Sequence, residues 1–355
     1  MPGMGFGGAE RVISIISNAF VDNGHEIKII SINSSDLPVY QLNSKIHFQS
    51  LPPLNRKKPV TIPKLFIRLR ITVKQYKPDV IISFIKDTCA IAILACLGLH
   101  IPIVYSERCD PRNVPNNLSF KFFNTIVKMF SNGFVFQSDA AKKLYPKNAQ
   151  NKSVIIFNPL NIKKLPPYYN GVRSKKIVTI GRLDRQKNHR LLIDAFFIIN
   201  SEYSDYKLII YGEGELRQEL QTHINDLGLS DKVILEGNKS NVLEEINEAS
   251  VFVLSSDFEG LPNSLIEAMA IGLPCITTDW SPGGASTFIE SGKNGIIVPM
   301  KNKEKLAYGI KEIISCHEKS VKMGNEARKI IEKTNEKEII DLWEKFLIHV
   351  IQRSN

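Results

Sequence analysis

Several things are scarce in this 355-residue chain, and each scarcity excludes something. Its five cysteines, Cys89, Cys96, Cys109, Cys275 and Cys316, are odd in number and nowhere close enough in sequence to form a metal-ligand pair, which excludes a disulfide framework and a zinc finger and fits a reduced cytoplasmic protein. No uncharged apolar run reaches about 18 residues, so no transmembrane helix is expected, and the Cys89 to Leu99 run reads as a buried helix. The first residues are rich in glycine and have no apolar centre of the kind a secretion signal needs. Low-complexity tracts are absent too, and 43% hydrophobic with 23% charged residues is ordinary globular composition.

Acidic residues are missing from one place in particular. Between Asp36 and Asp79 there is none, while Lys45, Arg56, Lys57, Lys58, Lys64, Arg68, Arg70, Lys74 and Lys77 fall there, so much of the net charge of +10 is local. Pro63 followed by a Pro-free run with Leu65, Ile67, Leu69, Ile71 and Val73 predicts a helix with one apolar and one basic side. Such helices lie on anionic membrane surfaces; the plain alternative is a solvated helix face. Stacking aromatics are few among the basic residues, only Phe66 and Tyr76 between Arg56 and Lys77, which argues against a nucleic-acid partner.

What is present is alternation of strand and helix, twice over. Residues 26–32, 79–84, 103–106 and 133–137 are short β-branched or aromatic runs separated by helical stretches. After a Pro- and Asn-rich hinge around 158–170 a second series runs through 176–180, 207–211, 233–236, 251–254 and 274–277. Alternation of this kind predicts parallel sheets covered on both faces, hence an α/β protein of two doubly wound Rossmann-like halves. The expected domains are 1–160 and 161–335, with 336–355 a helix whose stripe of Ile339, Ile340, Trp343, Phe346, Leu347, Val350 and Ile351 docks back on the first domain. In doubly wound sheets ligands bind beyond the carboxyl ends of the strands, and with two halves the cleft between them is the default site.

One segment carries chemistry. In FEGLPNSLIE, from Phe258 to Glu267, a buried strand ends in an acidic loop that turns into a helix. Glu259 is placed on the loop and Glu267 one turn into the helix, with the backbone N–H groups of Asn263, Ser264 and Leu265 between them. A helix start attracts a diphosphate, and two acids beside it suit hydroxyl groups. The plain alternatives are a solvated turn acid for Glu259 and, for Glu267, a capping box with Ser264.

With GFGGAER at the start, GRLDRQKN over 181–188, GEGEL over 212–216 and SGKNG over 291–295 in the same order, the chain resembles the retaining GT-B glycosyltransferases of family 4, bacterial surface-polysaccharide type. The resemblance implies a first domain for the acceptor and a second for a nucleotide-sugar. It gives Arg182 and Lys187 the donor diphosphate, Glu259 the donor sugar hydroxyls, Glu267 the ribose, and Gly7 and Gly8 a close backbone approach to the donor phosphate. The base would lie near Gly212, Gly214 and 233–238; Gly214 as a helix-start glycine is the alternative.

It further implies no metal, a UDP-hexose or UDP-N-acetylhexosamine donor ahead of GDP-mannose, a lipid-linked acceptor, and peripheral membrane contact through basic residues 56–77 at the cytoplasmic face. A sugar-nucleotide epimerase or hydrolase on the same fold, and an inactive scaffold subunit, are the competing readings. Two departures stand out. Ser106-Glu107-Arg108 occupies the place where many relatives carry a histidine, so that Arg108 replaces it or forms an ion pair with Glu107. The strand that relatives place before GFGGAER has no counterpart, so a truncated start or a misassigned initiator methionine is expected.

Overall fold

The computed structural model describes residues 3–4, 7–32, 38–51, 61–112, 117–280 and 284–354, the side chains of residues 61 and 62 aside. Gly5 and Phe6 of the glycine-rich loop, and Arg56, Lys57 and Lys58 of the basic run, lie outside the described residues. The chain divides into two compact units, Met1–Pro159 with Glu336–Asn355, and Leu160–Asn335.

In the first unit, helix α1 (Gly8–Asp22) leads into strand β1 (Lys28–Ser31), which pairs in parallel with β2 (His47–Ser50). After α2 (Thr61–Tyr76), the strands β3 (Ile81–Ser83), β4 (Ile103–Ser106), β5 (Gly133–Phe136) and β6 (Ser153–Ile155) form a second parallel sheet in that order. Between them run α3 (Lys86–Ala95), α4 (Leu118–Phe130) and the short α5 (Asp139–Lys143) and α6 (Lys147–Asn151). Helix-bearing crossovers rather than tight turns connect β3, β4, β5 and β6, as parallel pairing requires, and fully buried runs such as IVYS and GFVF are what a sheet covered on both faces demands.

Among the described residues no strand joins β1 to β3. Instead a cavity of about 380 Å³ opens there, walled by both strands, by Ile13, Ile16 and Phe20 of α1 and by Leu69 and Val73 of α2. Ile81 of β3 donates its N–H to Pro102, so the alternation of a parallel ladder turns the backbone of Ile82 towards the cavity.

The second unit is a six-stranded parallel sheet in the order β12-β11-β10-β7-β8-β9, from β7 (Ser174–Ile180), β8 (Lys207–Tyr211), β9 (Val233–Gly237), β10 (Ala249–Leu254), β11 (Cys275–Thr278) and β12 (Ile296–Val298). Its helices are α7 (His189–Asn200), α8 (Arg217–Asp226), α9 (Val242–Ile246), α10 (Asn263–Ala270), α11 (Ala285–Phe288), α12 (Lys303–Ile314), α13 (His317–Arg328) and α14 (Ile330–Thr334). The core is mostly aliphatic, with Ile177, Leu192, Phe196, Leu208, Ile210, Val251, Val253 and Ile310 shut off from solvent. Helix α15 (Glu336–Ser354) then returns to the first unit. There Ile339, Ile340, Trp343, Leu347 and Val350 share a core with Val12, Ile16 and Phe20 of α1. The α/β class and the two parallel, helix-covered sheet systems agree with the reading of the sequence.

Candidate functional site

In the second unit, strand order reverses between β7 and β10: β7, β8 and β9 progress one way across the sheet and β10, β11 and β12 the other. Loops leaving the carboxyl ends of two such strands splay apart, which opens a crevice at that end. The loop after β7 is Gly181 to Asn188; the loop after β10 is Ser255 to Pro262. Both carry the charged residues singled out in the sequence.

The two loops are tied to each other through polar groups. Lys187 Nζ lies 2.6 Å from Glu259 Oε1, and both side chains are largely buried. Ser256 Oγ donates to the same oxygen at 2.6 Å, while Gln186 Nε2 donates to Glu259 Oε2 at 3.3 Å and to the Phe258 carbonyl at 3.0 Å. The Asp257 N–H donates to the Gln186 carbonyl at 2.9 Å, and Ser255 Oγ to that of Lys187 at 2.9 Å. Asn188, in the left-handed region at φ 45°, turns the first loop into α7, accepts from the Leu191 N–H and donates to Asp257 at 3.0 Å. Glu259 is therefore not a solvated turn acid. It is a buried carboxylate held by a cation, a hydroxyl and an amide, with acceptor capacity left on Oε2.

Arg182 stands apart. Its side chain is 70% exposed and its guanidinium contacts Asp184 at 3.2 Å. The structure brings Lys187 to Glu259 and leaves Arg182 reaching from the same loop into solvent. On α10, Glu267 is buried, Leu265 is buried, and Asn263 and Ser264 are half-buried in the first turn. The helix starts at Asn263 after Pro262 with no side-chain cap, so the Ser264–Glu267 capping box does not form: Ser264 lies inside the helix rather than at its cap.

Gly212 and Gly214 have a packing role visible only in three dimensions. Gly212 has φ 142°, and a Cβ on it would stand 2.0 Å from the Gly181 carbonyl oxygen; one on Gly214 would stand 2.4 Å from that of Leu183. Both press the β8 loop against the Arg182 loop, as do the backbone bonds from Leu183 N–H to Glu213 and from Leu216 N–H to Leu183. Helix α8 begins only at Arg217, so Gly214 is not a helix-start glycine. Behind the same loop His189, buried, bonds the Arg182 carbonyl at 3.1 Å, and burial with the Lys187 charge holds its pKa down to about 4. Nothing in the spacing had singled out His189, Gln186 or Ser256; each acts by holding a named residue in place.

In the first unit Gly7 is the N-cap of α1 and Gly8 its first residue, so α1 starts on bare backbone with no side-chain cap. At the end of β4, Glu107 is buried and satisfied by the Tyr105 hydroxyl at 3.0 Å, the Tyr145 hydroxyl at 2.6 Å, Lys86 Nζ at 3.2 Å and the N–H groups of Arg108 and Cys109. Its ion pair is with Lys86, not with the Arg108 guanidinium. Arg108 lies over the rings of Phe84 and Trp343 at 4.8 and 5.9 Å and bonds Asn158, which also accepts from Gln137 at 2.6 Å. Among the described residues its buried Nε and Nη2 have no hydrogen-bond partner, and burial pulls the guanidinium pKa down to about 9. It remains charged at neutral pH.

Among the described residues no group of three or more His, Cys, Asp or Glu side chains is arranged to hold a metal ion. Nor is any helix long and apolar enough to cross a membrane.

Comparison with known proteins gives this arrangement a setting. Residues 6–164 match the model of Glycosyltransferase Family 4 and residues 169–330 that of Glycosyl transferases group 1. The chain is 27% identical over 349 residues to an uncharacterised glycosyltransferase of Haemophilus influenzae, with 96% of each covered. It is 26% identical over 350 residues, 97% of this chain and 96% of the relative, to the Campylobacter jejuni α-1,4-N-acetyl-D-galactosaminyltransferase named for a GalNAc-GalNAc-diNAcBac-PP-undecaprenol acceptor. The fold matches that of Anabaena HepE, solved in complex with UDP and glucose, at a TM-score of 0.82 with 16% identity over 98% of each chain. With two consecutive domain models that between them span nearly its whole length, the chain belongs to the group 1 glycosyltransferases of the GT-B fold.

Proposed function

We propose that this protein transfers a hexose or N-acetylhexosamine from a UDP-sugar, with retention of anomeric configuration, to a lipid-linked oligosaccharide in surface-polysaccharide assembly at the cytoplasmic face of the membrane. The observation that carries the reading is the buried Lys187–Glu259 pair at the strand-order reversal, flanked by exposed Arg182 and the start of α10. A crevice with two cations, helix amides and two buried carboxylates suits a ligand that is anionic at one end and rich in hydroxyls at the other.

In this reading Arg182 closes on the diphosphate when the donor enters. Lys187, fixed by Glu259, holds a charge where the leaving diphosphate becomes more negative, and charge fixed in advance at such a point supplies much of the rate enhancement in many enzymes. Glu259 Oε2 accepts from a sugar hydroxyl, Glu267 from the ribose, and the amides of Asn263, Ser264 and Leu265 face phosphate oxygens. Retention fits attack of the acceptor on the donor's own face, its proton leaving to the departing diphosphate, with no metal called for. Gly7, Gly8 and Arg108 belong to the first unit, which takes the acceptor. Names of the Campylobacter relatives, which act on undecaprenol-linked saccharides, support the acceptor class, and the basic run 56–77 supports contact with lipid.

The experiment is a screen of UDP-, GDP- and ADP-sugars for nucleotide release with and without lipid-linked saccharides extracted from bacterial membranes, followed by NMR of the product's anomeric centre. Acceptor-dependent UDP release with an α product from an α donor is expected. Release that ignores the acceptor would turn the reading into hydrolysis or epimerisation, and no release from any donor would make the chain a scaffold.

A further inference from the structure

The basic run 56–77 is the sequence's own pointer to lipid, yet the structure puts the larger apolar surface elsewhere. In the first unit α3 is buried along nearly its whole length, with α2 packed on it and α4 packed on it as well. Helix α4 rests on that layer through Ile126 and Val127. Its outer side is not polar. Leu118 is 85% exposed, Phe122 57%, Met129 59% and Phe130 54%. Leu118, Phe122, Thr125 and Met129 follow each other at spacings of four, three and four, one stripe along the helix. Solvated single apolar residues are ordinary, but three large ones in one line, with an aromatic side chain among them, form a contiguous patch.

The charge around the patch has one sign. From residue 111 to residue 138 there is no Asp or Glu, while Arg112, Lys121 and Lys128 occur, and Lys121 is exposed beside the stripe. Helix α2 repeats the theme with Ile67 and Ile71 exposed among Lys64, Arg68 and Lys74, again with no acid in the helix. The whole excess of positive charge on the chain falls in this unit; the other is balanced.

We infer that α4 is a membrane-docking helix that lies in the plane of an anionic bilayer, with Leu118, Phe122 and Met129 inserted among the acyl chains and Lys121 at the headgroups. At 13 residues, about 20 Å, it is too short to span the roughly 30 Å of hydrocarbon and long enough to lie in the interface. A second copy of the same face is a poor occupant, because it would set like charges against each other. An anionic lipid surface satisfies both halves of the patch, the apolar stripe by insertion and the lysines by attraction to the headgroups. Helix α2 adds the basic signal and α4 the apolar one, the two-signal arrangement that stable peripheral binding needs. The inference deepens the lipid-linked acceptor reading but is measured without any acceptor, so either can fail alone.

The test is sedimentation of the full chain with phosphatidylcholine vesicles and with vesicles containing about a third phosphatidylglycerol. Binding to the anionic vesicles is expected. The double variant Phe122→Ser/Met129→Ser should lose about tenfold or more in partitioning while keeping its helical circular dichroism and melting temperature, since both side chains are exposed. Phe122→Trp should shift its emission to the blue on anionic vesicles and be quenched by brominated acyl chains. Wild-type partitioning by the double variant, or emission from the Phe122→Trp protein that stays unchanged while it pellets, would overturn the inference. So would a wild-type dimer in solution that the double variant turns into a monomer, for then the stripe is a protein interface.

Discussion

At the scale of single residues, the Lys187–Glu259 pair separates structure from chemistry. Lys187→Met removes the cation and leaves a buried carboxylate with only Ser256 and Gln186 as donors, which costs roughly 3–5 kcal/mol of unfolding free energy in urea titrations. Adding Glu259→Gln should restore much of that stability, because no lone charge is left buried, and should not restore turnover. Nucleotide release in the donor screen is expected to stay down by about 100-fold or more in both variants; recovery of turnover along with stability would reduce the pair to a strut. His189 supplies a pH dependence. Its folded pKa is about 4 against 6.5 when exposed, so the unfolded chain binds the extra proton first as pH falls. The stabilisation is complete above about pH 6.5 and is lost progressively down to pH 4, roughly 3 kcal/mol in all. Thermal melts from pH 7 to pH 4 should show that slope, and His189→Gln should flatten it. These positions also mark what the sequence discloses. Glu259, Lys187 and Arg182 announce themselves by charge within a loop between strand and helix. The constraint on Gly212 and Gly214 is the approach of another loop's carbonyls, and no one-dimensional spacing encodes that.

Elements were legible in proportion to the strength of their periodicity. The fully buried, largely apolar runs of β4, β5 and β10 stand within a residue or two of their expected places, and so does the returning stripe of α15. Strands β2, β6 and β12, of three or four residues and in part half-exposed, carry too little alternation to be seen. Helix α4 defeated pattern reading for the opposite reason. LSFKFFNTIVKMF is apolar on two sides, and periodicity does not say which one faces the core. The gap between β1 and β3 has an energetic signature at this scale. Ala92 of α3 lines the cavity with a methyl group, so Ala92→Leu has room to add apolar contacts there. Chemical denaturation should show a gain of about 1 kcal/mol, the usual yield of filling a void; a loss instead would mean that the larger side chain overpacks the site.

Across the molecule the two units differ in how completely their sheets are built. The second has six strands in unbroken succession over one mostly aliphatic core. The first carries two sheets with a cavity between their facing end strands, along with the excess positive charge. Voids contribute to the volume that a protein gives up when it unfolds, so squeezing favours the unfolded form of whichever part contains more of them. Each unit happens to own one tryptophan, Trp343 in the first and Trp280 in the second, both shut off from solvent. Under rising hydrostatic pressure, emission from a Trp280→Phe variant, which reports on Trp343 alone, should redden at lower pressure than emission from a Trp343→Phe variant. The gap in the first unit would thus set the compressive limit of the protein, and that unit would fail while the second still stands.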